Sequence, residues 1–262
     1  MSEIIAGCYQ FKVAVAEPEA NLRRVGEALP HFADAGRRFV VLPEMWSCGF
    51  PYSRLREMAE ATPSILDALR EWAVRFRMVL VGSLPEAAGD SIFNTSYVVD
   101  ADGAVVGAYR KMHLFSPHGE ELHFKRGERP VVCCTAVGRV GVMICYALRF
   151  PELARRLALD GAEILCVSAL WPAARVDHWS LLLRGRAVEN QLFVVGCNGC
   201  GDLGKMTMGG ASAVIAPTGE VIAEAGAGES RLTATLRMAD MEDFRRRIPC
   251  FFDRLPGAYN IV

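Results

Sequence analysis

The chain has 262 residues, of which 52% are hydrophobic and 23% charged, and its net charge at pH 7 is -1. That supplies ample apolar material for a large core, and the near-neutral balance offers no basic field for nucleic acid or an anionic membrane surface. The N-terminus carries no basic leader and no uncharged apolar run reaches the roughly 18 residues of a membrane span. One soluble, cytoplasmic domain over residues 1–262, with 249–262 as a C-terminal tail, is therefore the expectation.

In chain order, Ile4 to Val15 reads as a first strand. Behind Pro18 and Glu19, Leu22, Val25, Leu29 and Phe32 recur at helical spacing and predict a helix ending near Gly36. Phe39-Val40-Val41-Leu42-Pro43 is a short β-branched, apolar run that predicts a buried strand ending at Glu44. A second helix is signalled by Thr62-Pro63 and by Ile65, Leu66, Leu69, Trp72 and Phe76 on one face, with a strand at Met78 to Val81 after it. An Asp102-Gly103 turn opens the second strand of a hairpin, Ala104 to Tyr109, and delivers Arg110 and Lys111 just past its end. A loop rich in Ser, Pro, His and Gly then carries Glu120 and Glu121.

Gly138 turns the chain from a strand at Val131 to Thr135 into a second apolar run, Val140 to Ile144, which stops abruptly at Cys145. Helices at Glu152 to Asp160 and His178 to Asn190 flank a strand at Ile164 to Ser168. Phe193 to Gly196 reads as a strand, Cys197 to Cys200 as the loop after it, and Ala211 to Ile215, Val221 to Glu224 and Leu232 to Leu236 as a β-rich end before a short helix around Phe244. Such alternation, with hairpins, predicts mixed sheets flanked by helices, of α/β or α+β class.

A carboxylate, an ammonium and a thiol thus each end a strand, and open sheets bind ligands at such edges. A thiol on the turn between a buried strand and a helix is held rigidly, can be reached from a cleft, and lies near N–H groups that favour its thiolate. Taken alone, Cys145 reads more readily as a small buried hydrophobe; the other two strand ends tip the reading towards chemistry. Nine cysteines, an odd number scattered through apolar strands, fit buried thiols in a reducing compartment. Cys197 and Cys200 have the spacing of half a zinc site, but no second pair or nearby His completes four ligands, so no metal and no cofactor is expected.

Leu42-Pro43-Glu44-Met45-Trp46, then Tyr109-Arg110-Lys111-Met112-His113-Leu114-Phe115, then Ile144-Cys145-Tyr146-Ala147-Leu148-Arg149-Phe150-Pro151-Glu152-Leu153 resemble, in order and spacing, the three catalytic blocks of the nitrilase superfamily, the carbon-nitrogen hydrolases. The resemblance runs from Ile4 to about Tyr259. The stretch from Trp171-Pro172 through His178-Trp179 to Arg184 and Gln191 is most similar to the omega-amidase branch. It implies a four-layer α-β-β-α sandwich that forms a homodimer or higher homo-oligomer through helices. It implies Cys145 as nucleophile, Glu44 as general base, and Lys111 with the Tyr146 N–H as oxyanion donors. Counting back from Gly127 places a second active-site carboxylate on Glu120.

The family's usual residue two after the Cys is Asp, and here it is Ala147, so another device must fix that turn. The implied reaction is hydrolysis of a small carboxamide through a thioacyl-enzyme, with water consumed and ammonia released, best fitted to dicarboxylic monoamides such as 2-oxoglutaramate. Tyr146, Arg175, His178 and Trp171 are the pocket candidates, whereas Arg149 is expected to pair with Glu152. N-carbamoyl compounds, other aliphatic amides and nitriles are alternative substrates for the same triad. A non-catalytic scaffold is the alternative of another class, and thiol titration separates it, because an enzyme should show one fast-reacting Cys.

Overall fold

A computed structural model describes residues 3–33 and 37–258 of the chain. Its first half runs β1 (Glu3–Gln10), α1 (Pro18–Ala28), β2 (Arg37–Val41), α2 (Leu55–Glu60), α3 (Thr62–Phe76), β3 (Met78–Ala88), β4 (Ser91–Val99) and β5 (Val105–Arg110). The second runs β6 (Val132–Thr135), β7 (Gly138–Ile144), α4 (Pro151–Leu159), β8 (Ile164–Ala169), α5 (Val176–Asn190) and β9 (Phe193–Asn198). A hairpin of β10 (Cys200–Leu203) and β11 (Met206–Gly209) follows, then β12 (Ala213–Ile215), β13 (Val221–Glu224), β14 (Ser230–Arg237) and α6 (Met238–Arg247).

Among the described residues these strands make two six-stranded sheets, ordered β14-β1-β2-β3-β4-β5 and β13-β12-β9-β8-β7-β6. Each has a parallel centre, β1-β2-β3 in one and β7-β8-β9 in the other, with antiparallel strands outside it. The period of two along a strand sorts side chains between layers. Ile4, Ala6, Cys8, Phe39, Val41, Val79 and Val81 pack with the second sheet in one core, whereas Val40, Met78 and Leu80 pack with Val25 of α1 and Ile65, Leu69 and Ala73 of α3 in another. On the far side Leu153 and Leu157 of α4 and Trp179 and Leu183 of α5 join the first of these cores. Helix, sheet, sheet, helix is the resulting layer order, the four-layer α-β-β-α sandwich of an α/β protein.

Several boundaries differ from the sequence expectation for identifiable reasons. β1 ends at Gln10 because the next residues bond outside the sheet: the Ala14 N–H donates to Asn21 Oδ1 and the Ala16 N–H to the Cys48 carbonyl. The first helix ends at Ala28 and a 3-10 turn over Leu29–Phe32 follows, because Pro30 has no N–H to continue the ladder; its expected end near Gly36 lies outside the described residues. Cys197 and Asn198 belong to β9 and Cys200 begins β10, so the expected loop is reduced to Gly199. Both cysteines are buried, and the Cys197 thiol donates to the Tyr9 carbonyl. No helix of the described residues is long and apolar enough to cross a membrane.

Candidate active site

Glu44 lies three residues beyond β2, on a turn anchored from both sheets: its N–H donates to the Ala169 carbonyl of β8, and the Met45 N–H donates to Ser83 Oγ of β3. Met45 takes a positive φ of 46°. Lys111 follows β5, and its N–H donates to the Asn94 carbonyl of β4. Cys145 follows β7 and opens a 3-10 turn over Cys145–Arg149. Its φ is +43°, in the left-handed region, which costs an L-residue roughly 1–2 kcal/mol. Strain of this kind persists only where the surroundings impose it.

The three strand ends meet. Lys111 Nζ lies 2.8 Å from Glu44 Oε1 and 2.8 and 2.7 Å from the two oxygens of Glu120. Glu44 Oε1 also accepts from Asn94 Nδ2 at 2.9 Å, and its Oε2 from the Leu170 N–H at 3.1 Å. Glu120 Oε2 accepts from the Phe115 N–H at 3.0 Å. All three side chains are buried, whereas the adjacent Glu121 is exposed. Burial works against the charge of Lys111, but Glu44 and Glu120 outweigh it and hold the ammonium well above the usual lysine range. A buried ion network is tolerable only when its charges are met, and here all four carboxylate oxygens accept a hydrogen bond.

Cys145 lines the same cavity as Glu44 and Glu120. Burial, then the Glu44 and Glu120 carboxylates, push its thiol well above the usual range, and the opposing pull of Lys111 does not overcome them. The resting group is thus a thiol, not the thiolate expected from its place at a helix start. A 3-10 turn of five residues supplies too weak a dipole to offset the loss of water and two nearby negative charges.

Glu44, Glu120 and Cys145 form the floor of a cavity of about 400 Å³. Tyr52, Phe115, Tyr146 and Trp171 supply ring surface, Arg149 and Arg175 stand among them, and Leu203, Gly204 and Met206 of the β10–β11 hairpin close one side. Arg149 lies over the Trp171 ring at 4.7 Å and Arg175 over Phe115 at 5.7 Å. Among the described residues neither guanidinium forms an ion pair. Two delocalised cations left without carboxylates beside a cavity are suited to a ligand that brings its own anion.

Of the pocket candidates read from the sequence, Tyr146, Arg175 and Trp171 line this cavity and His178 does not. His178 is exposed on α5, with Nδ1 3.4 Å from Arg149 Nη2. Helical geometry explains the difference: Trp179, next to it on α5, turns inward to bond the Ala211 carbonyl, so its neighbour turns out. The expected pairing of Arg149 with Glu152 is also absent, because Arg149 lies against Trp171 and His178 instead. Sequence reading missed Asn94, Tyr52 and Phe115. Asn94 was detectable as an amide inside the β-type run Ile92-Phe93-Asn94-Thr95-Ser96; Tyr52 was detectable as an aromatic just beyond the Glu44 turn.

The Tyr52 ring stacks on His123 at 4.1 Å, and burial followed by Glu120 and Glu44 pushes its phenol up to about 12, so it stays protonated.

Known proteins resemble this chain over most of its length. A family model described as carbon-nitrogen hydrolase matches residues 5–246. The chain is 34% identical to a 2-oxoglutaramate amidase of Bacillus subtilis, over 94% of this chain and 95% of that protein. It is 39% identical to a hydrolase in the agr operon of Staphylococcus lugdunensis, over 84% of this chain and 96% of that protein. The solved structure of Nit3 from Saccharomyces cerevisiae, a member of branch 10 of the nitrilase superfamily, superposes with a TM-score of 0.86 at 32% identity, covering 95% of both chains.

Proposed function

Because the chain belongs to the carbon-nitrogen hydrolase family, hydrolases of non-peptide C–N bonds, we propose that it is an omega-amidase-like enzyme that releases ammonia from a short dicarboxylic monoamide such as 2-oxoglutaramate, with Cys145 as nucleophile. One observation carries this reading: a single cavity joins Cys145 and the Glu44 and Glu120 carboxylates, both bonded to the buried Lys111, to two guanidiniums without carboxylate partners. The floor suits the amide end of the substrate. Arg149 and Arg175 suit its distal carboxylate.

The resting thiol makes a base necessary. As sulfur adds to the amide carbon, Glu44 takes the thiol proton, and the carbonyl oxygen becomes an oxyanion. Lys111 and the Tyr146 N–H stabilise it, Lys111 by trading one of its Glu120 contacts for the new charge. Glu44 then passes its proton to the nitrogen, the C–N bond breaks and ammonia leaves. Water attacks the thioester while Glu44 accepts its proton, and the acid departs as that proton returns to sulfur. Glu120 holds Lys111 charged and aimed throughout.

The protein acts as a homodimer in this reading, within one domain that spans the chain and in the cytoplasm. The support for assembly is apolar surface: Leu181 of α5 is 69% exposed and Phe252 of the tail 89%. An ammonia-release panel tests the substrate. Succinamate and 2-oxoglutaramate should turn over at least tenfold more efficiently in kcat/KM than butyramide, carbamoyl amino acids or nitriles. Equal efficiency on the uncharged amide would remove the carboxylate from the assignment.

A further inference from the structure

Cys145 holds a left-handed φ of +43° at the head of a five-residue 3-10 turn that lacks a side-chain cap. The turn is closed by backbone bonds alone, those of the 3-10 type within it and, at its end, the Phe150 N–H donating to the Ala147 carbonyl at 3.0 Å. Ala147 is fully buried in the core and offers no polar group. The segment itself supplies no side-chain cap for the strained turn that carries the sulfur.

The hold comes from α5. Arg186, only 5% exposed, donates Nε at 3.0 Å and Nη2 at 2.8 Å to the Leu148 carbonyl, three residues past the sulfur. Its Nη1 donates to Glu189 Oε1 at 2.9 Å, so a carboxylate from the next turn of the same helix balances the buried charge. Two parallel N–H groups on one carbonyl fix its direction as well as its position, which a lysine ammonium cannot do. α5 is in turn a rigid platform, because the Trp179 indole beneath it is fully buried and bonds the Ala211 carbonyl.

We propose that Arg186 is a positioning residue for Cys145: its two-bond clamp on the Leu148 carbonyl imposes the left-handed turn that keeps the thiol facing Glu44, and is the device that stands in for a side chain at Ala147. Glu189 keeps the clamp charged and oriented. The proposal rests on the thiol reading given above.

The test follows Cys145 directly rather than through turnover alone. In the wild type, Glu44 assists the thiol and iodoacetamide alkylates Cys145 at neutral pH. In Arg186→Met the alkylation rate at pH 7 should fall at least about tenfold and climb steadily with pH, as an unassisted thiol does. Ammonia release should show kcat falling by a similar factor with KM within about twofold. Val214→Ala, a core truncation in β12 away from the site, serves as the destabilised control and should keep the wild-type alkylation profile. Should Arg186→Met not fold, Arg186→Lys decides, since it keeps the charge but only one bond and should show the same two changes to a smaller degree. An unchanged alkylation profile in the folded Arg186 variant, or an equal change in Val214→Ala, would overturn the clamp. Cys145→Ala run alongside separates the two failures: full activity there sinks the thiol mechanism itself, whereas a dead Cys145→Ala with a normal Arg186 variant sinks the clamp alone.

Discussion

At the floor of the cavity Glu44 and Glu120 spend their acceptors on the buried Lys111, on Asn94 and on backbone N–H groups, whereas at its mouth Arg149 and Arg175 rest on the faces of Trp171 and Phe115. The floor is fixed by directional bonds that tie the turn after β2 to the ends of β5 and β8. The mouth is held by ring contacts that tolerate small displacements and leave the cations' hydrogen-bonding capacity for a ligand. Rigid chemistry below and adaptable recognition above is a division that mutation can probe, because the two regions should fail differently: floor variants in kcat, mouth variants in KM.

The largest effect should come from Cys145→Ala. With the nucleophile gone, ammonia release should drop by at least about 10⁴-fold while the thermal transition stays cooperative, and Cys145→Ser should be nearly as inactive. Turnover close to wild type in either would remove the floor from the mechanism. Next, Lys111→Met leaves two buried carboxylates facing each other without their cation. It should lower kcat at least about 10²-fold and cost on the order of 3–5 kcal/mol in a denaturant titration, the scale of breaking one partner out of a buried ion network. Loss of stability with kcat unchanged would make the lysine purely structural.

At the mouth, Arg175→Met should raise KM for 2-oxoglutaramate by about 10–10²-fold, corresponding to one charge-assisted contact, and leave kcat and the turnover of butyramide nearly unchanged. A matching loss on butyramide would place Arg175 with the floor instead. The smallest effect concerns the core beneath both regions. Burial pushes the thiols of Cys166 and Cys197 above their ordinary range, so the folded state keeps protons that the unfolded chain releases near pH 8.5. The stability they contribute is present below that pH and lost as pH rises, by up to about 1.4 kcal/mol per pH unit for each thiol between pH 8.5 and 10. Urea titrations at pH 8 and pH 9.5 should show that loss, and Cys166→Ala should reduce the slope by one thiol's share.

Glu44, Lys111 and Cys145 were legible because each ends an apolar run, and an ionisable residue at the end of a buried strand is a local signal. The mouth was not legible to the same degree. His178 and Arg175 are close in sequence and equally polar, yet only Arg175 reaches the cavity, because the start of α5 at Val176 sets which side each faces. Arg149 has a carboxylate three residues away in Glu152, and local reasoning pairs them; the Trp171 face brought in from beyond β8 outcompetes that pair. The β10–β11 hairpin, with Gly204 at its tip, gave no periodic signal at all, and it still closes one side of the cavity.

What the sequence determined by itself is most of the long elements and the ionisable residues at their ends, since strand period, helix spacing and turn residues are local properties of the chain. Tertiary structure alone decided that Asn94 holds Glu44, that Arg186 reaches the Leu148 carbonyl across 38 positions of sequence, and that Cys145 rests as a thiol. These depend on which strand ends become neighbours and how much water they exclude. Charge, distance and burial set a proton's affinity, and only the assembled sandwich supplies all three.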